Sequence, residues 1–369
     1  MKLHLVAGEA SGDARGAELM EALNLEQRGI EFSGAGGPRM KAIAGGRFQN
    51  WSEHAVVGII DVLKNYGYFK KQFDAMLEEI LRIKPDAVIL IDYPGFNLRL
   101  AAALKKKDAS MRIIYYISPQ VWAWHRGRIP KIANVVDLMI CIFPFEKALY
   151  EEFALRTVFV GHPLIDSLAT RKIFEAREVE LVGLFPGSRL KEVEKIFPVM
   201  IQAARLIKHA QPYIRFEAAA VSNSIASVLQ SYLVDDLVTI KTHASHELMQ
   251  RAGAAMVASG TATLEAAFFE LPFVIVYKVA LLTEWIGSLL VKVPYLGIVN
   301  ILAGREIVRE FLNGKAKPEA IANEMLRLVR EESAREKMRQ DLARVIAMLG
   351  EGGASERAAE AVLEELKRG

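Results

Sequence analysis

Two short stretches of this chain carry the residue types that hold an anion. The first is Pro186-Gly187-Ser188-Arg189. It joins the apolar run Leu181–Phe185 to an amphipathic segment in which Val193, Ile196, Phe197, Met200, Ile201, Ala204 and Ile207 share one side. Strand, small-residue turn and helix together point free backbone N–H groups at a negative charge. Gly187 lets the backbone approach a ligand, Ser188 can cap or donate, and Arg189 adds a planar cationic fork suited to phosphate. Glu192 follows one turn on. An ordinary strand-to-helix turn remains the alternative reading. The second stretch repeats the logic: the buried-strand run Ala254–Ser259 leads through Gly260-Thr261-Ala262-Thr263 into a helix over Leu264–Glu270. Two such turns in one half of the chain suit a nucleotide diphosphate.

A carboxylate stands apart from them. The run Asp86–Ile91 reads as a buried strand and ends at Asp92-Tyr93-Pro94-Gly95-Phe96-Asn97. In open parallel sheets ligands bind outside the carboxyl ends of strands, where Asp92 falls. A turn or capping role is the competing reading. Farther on, Ser118–Arg128 interleaves Trp122 and Trp124 with His125, Arg126 and Arg128. That mixture suits sugar stacking or phosphate contact, with one tryptophan available to pack on the sheet. An acceptor-phosphate site is the preferred role for His125, Arg126 and Arg128.

The elements that must position these residues alternate strand and helix from the first residue. Strands are expected near Lys2–Ala7, Glu31–Ala35, Asp86–Ile91, Arg112–Ile117, Leu138–Ile142 and Val158–Val160. Gly8–Asp13 reads as a turn leading into a helix near Ala14–Leu25. Gly161-His162-Pro163 breaks the chain, and His162 reads as a hinge residue. A second series comes near Leu181–Phe185, Phe216–Ala220, Val238–Lys241, Ala254–Ala258 and Phe273–Tyr277. After Lys317 the pattern is helical. The fold class is therefore α/β with two domains: residues 1–163, residues 164–344, and a C-terminal helix in 345–369 that returns to the first domain or is exchanged in a dimer.

Composition agrees. The 369 residues exceed a usual single domain, and 52% are hydrophobic, ample for two cores. Mean hydropathy is +0.18. The charge-free run Ala218–Val234 is broken by Ser, Asn, Gln and Tyr, so no transmembrane helix is expected. MKLHLVAGEASGD reaches acids too early for a signal peptide. The one cysteine, Cys141, excludes an internal disulfide and a cysteine-based zinc cluster, and a cytoplasmic location is the default. A net charge of +3 argues against bulk nucleic-acid binding. Even so, His54–Lys131 holds 13 Lys/Arg against 7 Asp/Glu, a solvated basic face or a surface for anionic lipid or phosphorylated substrate. Within it, Ala55–Phe73 has too much apolar surface for one helix face, and either packs in the core or dips into a membrane interface.

Several chemistries are absent. There is no Walker A sequence, no Asp-x-Asp metal clamp, no G-x-S-x-G and no histidine spacing suited to a metal. His243 and His246 lack a third ligand and read as surface. What remains is a metal-free anion site in the second domain and a carboxylate in the first, which suits group transfer from a nucleotide-activated donor.

With these motifs placed, the chain resembles the lipid-A-disaccharide synthase family. The matching stretches are VAGEASGD (6–13), AGGPRM (35–40), IDYPGFN (91–97), YYISPQVWAWHRGRI (115–129), FPFEKALY (143–150), FVGHPL (159–164), FPGSRLKEVE (185–194), ASGTATLE (258–265), VYK (276–278) and NILAGRE (300–306). They run in family order along nearly the whole chain. PGSR and SGTATLE alone indicate only a GT-B-type transferase.

The resemblance implies two Rossmann-like domains, with UDP bound mainly by the second. It implies transfer from UDP-2,3-diacylglucosamine to the 6-hydroxyl of 2,3-diacylglucosamine 1-phosphate, with inversion, a β-1,6 linkage and UDP released. Asp92 maps to the family's base, and Arg189 would stabilise the leaving diphosphate. Glu9 and Ser11 would line the cleft from the first domain. Gly187, Ser188, Glu192, Ser259, Gly260 and Thr261 would cradle the nucleotide, Glu265 would bind ribose hydroxyls, and Asn300 would lie near the nucleotide. No cofactor or metal is implied; the UDP-sugar is a substrate. Ile60, Val62, Leu63, Tyr66 and Phe69 would dip into the inner leaflet of the inner membrane, and a homodimer with exchanged C-terminal segments is implied. Gly95 stands where many members carry an acid, so a second carboxylate beside Asp92 is not required. Other readings stay open: a MurG-like transferase, a UDP-GlcNAc 2-epimerase, or a non-catalytic lipid- or nucleotide-binding module.

Overall fold

A computed structural model describes residues 1–51, 66–124, 126–173, 176–278 and 294–368. The chain divides into two compact units, Met1–Pro163 with Gly350–Gly369, and Leu164–Leu349.

The first unit is built on a parallel sheet in the order β3-β2-β1-β4-β5-β6-β7. The strands are β1 (Lys2–Ala7), β2 (Glu31–Gly36), β3 (Phe48–Asn50), β4 (Ala87–Ile91), β5 (Ile113–Tyr116), β6 (Leu138–Cys141) and β7 (Thr157–Phe159). All five residues of β4 are fully buried, as an unbroken apolar run must be when helices cover both faces of a parallel sheet. Order runs outward from β1 through β2 to β3, then restarts on the other side at β4. The junction of β1 and β4 is therefore a topological switch point, where the loops diverge and leave a crevice. Ala7 pairs with Ile91, so the residues after the two strands begin side by side.

The second unit repeats the device. Its parallel sheet runs β10-β9-β8-β11-β12-β13. Here β8 is Glu178–Phe185, β9 Arg215–Ala220, β10 Val238–Thr242, β11 Ala252–Ala258, β12 Phe273–Tyr277 and β13 Glu310–Leu312. The switch point lies between β8 and β11, where Phe185 pairs with Val257. The expectation of two Rossmann-like α/β units is met.

The chain returns to the first unit at Gly350. Helix Ala354–Lys367 packs along helix Ala10–Glu26. Arg112 Nη1 donates to Leu366 O at 3.0 Å, Arg357 Nε donates to Val160 O at 2.8 Å, and Arg156 pairs with Glu364 and Glu365. No helix among the described residues is long and apolar enough to cross a membrane. Ile60, Val62 and Leu63 lie outside the described residues. Tyr66 and Phe69 stand in the first turn of helix Tyr66–Ile83.

Candidate active site

At the first switch point, Asp92 is held by its main chain and presents its side chain. Asp92 N donates to Tyr116 O at 3.0 Å. Its carbonyl accepts from the Tyr115 hydroxyl at 2.6 Å and from Asn97 Nδ2 at 2.8 Å. Tyr115 and Asn97 are themselves fully buried. These anchors hold Asp92 and Tyr93 at φ +46° and +47°, a left-handed pair that costs on the order of 1–3 kcal/mol per residue and clusters at functional sites. Tyr93 then lies over Gly8, leaving no room for a side chain there.

Glu9 is the N-cap residue of helix Ala10–Glu26, at the end of β1. The helix begins at once, so Ser11 stands exposed in its first turn rather than in a preceding loop as expected. Burial raises the Asp92 pKa first, and the charge of Glu9 raises it further; the Tyr93 N–H opposes both. A second carboxylate therefore does act on Asp92, and it comes from the end of β1 rather than from position 95. The raised pKa is the signature of a group tuned toward proton acceptance.

Asp13 fastens this corner. Buried, it accepts from Gly37 N and Met40 N at 2.9 Å and from Arg39 N at 3.1 Å. It thus caps helix Pro38–Ala44 and ties the two glycine-containing turns together. An aromatic wall stands beside it: Phe96 meets Trp51 edge-on at 5.2 Å, Phe73 at 5.5 Å, and stacks on Tyr93 at 6.0 Å.

At the second switch point the groups are of another kind. Gly187 has φ +107° and Gly260 φ +143°, backbone that a side chain would strain. Arg189 is the N-cap of helix Leu190–Ala210, and its guanidinium is 73% exposed, 3.1 Å from Glu192. Ser188 is exposed beside it. Gly260 is the N-cap of helix Thr261–Phe268, with open space where a Cβ would stand. Thr261 is exposed, and Ser259 N donates to Val276 O at 3.3 Å. Two helix N-termini without side-chain caps, one of them beginning at an exposed arginine, offer the kind of partial positive charge an anion requires.

Two placements depart from the sequence reading, and one residue was missed. Asn300 is fully buried, and its amide is taken up internally. It donates to Val308 O at 2.7 Å and Glu310 Oε1 at 2.8 Å, and accepts from Ile307 N and Val308 N. It shapes the turn at Gly297 rather than reaching a ligand itself. His246 is not simply surface: Nε2 lies 3.5 Å from Glu265, and Nδ1 lies 3.0 Å from Arg171 Nη1. Glu265 thus has a histidine neighbour. Tyr277, at the end of β12, is pushed to higher pKa by burial and then by Glu192. Its position after an apolar strand run was the available signal. Arg126 and Arg128 fall in an exposed 3₁₀ turn, Arg126 3.9 Å from Glu152; His125 lies outside the described residues. His162 packs against Phe143 at 5.2 Å, and burial, then Arg15, lowers its pKa to about 4.

Two parallel sheets, each with its exposed polar loops at a switch point, define the GT-B class of sugar-nucleotide enzymes. The solved structures agree. A UDP-GlcNAc 2-epimerase from Neisseria meningitidis bound to UDP-GlcNAc superposes with a TM-score of 0.66 at 13% identity, covering 99% of this chain and 100% of that one. The calicheamicin glycosyltransferase CalG4 superposes at 0.58 with 15% identity, covering 100% and 98%. At such identities the likeness concerns the fold alone. A family model described as lipid-A-disaccharide synthetase matches residues 3–365. Lipid-A-disaccharide synthases from Geobacter sulfurreducens and Trichlorobacter lovleyi are 40% and 38% identical to the chain. The matches cover 99% and 100% of this chain and 97% and 98% of those proteins. The chain belongs to the lipid-A-disaccharide synthase family, and it is a glycosyltransferase.

Proposed function

We propose that the chain joins UDP-2,3-diacylglucosamine to 2,3-diacylglucosamine 1-phosphate by an inverting transfer. The acceptor 6-oxygen attacks the anomeric carbon, and its proton passes to the Asp92 carboxylate. The bond from the anomeric carbon to the diphosphate oxygen breaks, and the electron pair leaves with UDP. The observation that carries this reading is the Asp92 carboxylate, anchored through its own backbone and kept basic by burial and Glu9. Base assistance of this kind contributes about 10²–10⁴-fold.

Arg189 and the backbone N–H groups at Leu190 and Thr261 stabilise the charge that grows on the leaving diphosphate. Gly187, Ser188, Ser259 and Gly260 let the nucleotide approach, and Glu192 orients Arg189. Glu265 takes the ribose hydroxyls, and Ser11 contacts the substrate from the first unit. Arg126 and Arg128 receive the acceptor phosphate. The reaction needs no metal in this reading, because fixed positive groups do the work of a cation. The enzyme works as a peripheral protein on the inner face of the inner membrane, through Ile60, Val62, Leu63, Tyr66 and Phe69, and as a homodimer. What supports the membrane reading is the excess of apolar residues in the sequence Ala55–Phe73, interspersed with Lys64, Lys70 and Lys71.

The test is disaccharide formation from the two lipids with EDTA present, for wild type and Asp92→Asn. Product from wild type, reduced by about 10²–10⁴-fold in Asp92→Asn with UDP affinity kept, is expected. Equal turnover would remove Asp92 as the base. No product from wild type with EDTA, restored by a divalent cation, would remove metal independence.

A further inference from the structure

Glu146 is a buried carboxylate that the proposed transfer does not use. It is 1% exposed, in the first turn of helix Pro144–Glu151. One oxygen accepts from the Trp122 indole Nε1 at 2.9 Å, the other from Phe143 N at 3.2 Å. Among the described residues no cation forms a salt bridge with it. Trp122 also meets Phe145 edge-on at 5.1 Å, and the Tyr150 hydroxyl donates to Pro119 O at 3.0 Å. The segment after β5 is therefore pinned to this one helix at Pro119 and at Trp122.

A buried charge without a cation is costly, and a carboxylate used only as a helix cap needs no indole donor. We propose that Glu146 is a positioning residue whose carboxylate tethers Trp122, fixing the short helix Val121–Trp124 and the arginine turn after it. The functional half rests on the reading of Arg126 and Arg128 as the acceptor-phosphate site.

The tether is sensitive to protonation. Burial pushes the Glu146 carboxyl up to about 7, opposed by the groups that donate to it. The groups facing it are Ser118 from the loop after β5, Cys141 from β6 and Tyr150 from its own helix, while Lys147 and Glu151 act on Cys141. Cys141 and Tyr150 are both driven upward by burial first and by Glu146 next, so they stay neutral in that range. Behind Phe143, His162 is held near 4. The ionised carboxylate accepts the indole N–H as a charge-assisted bond; protonation weakens it. The tether is tight above neutrality and loosens as pH falls through about 7.

The four tryptophans permit a direct readout. Full-length protein carrying 5-fluorotryptophan is followed by ¹⁹F NMR across pH 5.5–8.5, with Trp122→Phe assigning the Trp122 resonance. That resonance is expected to titrate with a midpoint near 7 in wild type and to be flat in Glu146→Gln. The same midpoint in both proteins would overturn the tether. Should Glu146→Gln fail to fold, the ¹³C carboxyl resonance of Glu146 in Trp122→Phe serves instead. Its midpoint should rise, because a donor to the ionised form is gone, and an unchanged midpoint overturns the proposal. In kinetics, Glu146→Gln should raise the KM for 2,3-diacylglucosamine 1-phosphate several-fold, keep kcat within about twofold, and lose the pH dependence of that KM near 7. A titrating indole with an unchanged acceptor KM in both variants keeps the tether and overturns the acceptor reading of the loop.

Discussion

The two switch points are the same topological feature with opposite chemistry. At the end of β1 and β4 stand carboxylates and aromatic rings: Glu9, Asp92, Tyr93 and Phe96. At the end of β8 and β11 stand glycines, hydroxyls and one arginine. The first crevice raises the pKa of an acid by burial and by a like charge. The second leaves its cation 73% exposed and its helix ends uncapped. Under the proposed function, duplicated architecture thus gives one end that holds the proton acceptor and another that receives the anion. That division is what an inverting transfer with a diphosphate leaving group requires.

The comparison breaks most sharply at Arg189. Replacing it with Ala should lower kcat by about 10²–10³-fold, since transition-state charge stabilisation is lost while the base is untouched. Arg189→Lys should recover only part, because a point charge cannot form the bidentate contact. Steady-state kinetics with the pH profile recorded decides it. A changed pH profile in Arg189→Ala would show that the two ends are not chemically separate.

Next in size is Gly187→Ala. At φ +107° a side chain strains the turn, and its Cβ would lie 3.3 Å from Glu192 Oε2. A strain on the order of 1–3 kcal/mol at this turn should weaken UDP binding by roughly 5- to 150-fold, measured by calorimetry. Asp92 chemistry should be unaffected, so kcat at saturating donor should change far less than UDP affinity.

Glu9→Gln sharpens the first end. Asp92 must be ionised to accept a proton, and Glu9 is the second cause of its raised pKa, after burial. Removing that charge should move the acidic limb of the kcat profile to lower pH. An acidic limb that stays in place would mean that burial alone sets it.

Much of this was legible in the residues themselves. Unbroken apolar runs such as Ala87–Ile91 and Phe273–Tyr277 marked the buried parallel strands, and the glycine turns marked the strand ends where ligand-facing loops begin. The edge strands Phe48–Asn50 and Glu310–Leu312 are three residues each, too short for a periodic signal. The pairing of Glu9 with Asp92 was not legible, because it depends on β1 lying beside β4, about 80 residues farther along the chain. Asn300 carried a motif's position but not its role: only coordinates show its amide spent on the backbone of Ile307 and Val308. Glu146 stood in the FPFEKALY stretch with nothing in the sequence to pair it with Trp122, 24 residues earlier.

The smallest expected effect concerns stability, and it again separates the units. His4, in β1, is fully buried, with Nδ1 3.0 Å from Ser33 Oγ, and burial lowers its pKa to about 4. The folded state keeps it neutral, so the unfolded state binds more protons below pH 6.5, and stability is lost as pH falls toward 4. Glu146 has the opposite sign. Its folded pKa, about 7, lies above the ordinary 4.5, so its contribution is lost as pH rises between them. His162, in the same unit and also lowered to about 4, adds a slope of His4's sign. From pH 6.5 down to 4.5 two histidine slopes, each up to about 1.4 kcal/mol per pH unit, therefore oppose that of Glu146. Wild-type protection of the β1 amides, corrected for intrinsic exchange, sets the reference slope over that range. As pH drops, protection in Glu146→Gln should fall more steeply than in wild type, because both histidine slopes are unmasked, and in His4→Gln less steeply. The resolved shifts of the second unit fall on arginines, Tyr277 and Glu178, all outside this range, so the β8 amides should not respond to either substitution. Equal responses in β1 and β8 would show that the units unfold as one, so that they differ in chemistry but share a single stability.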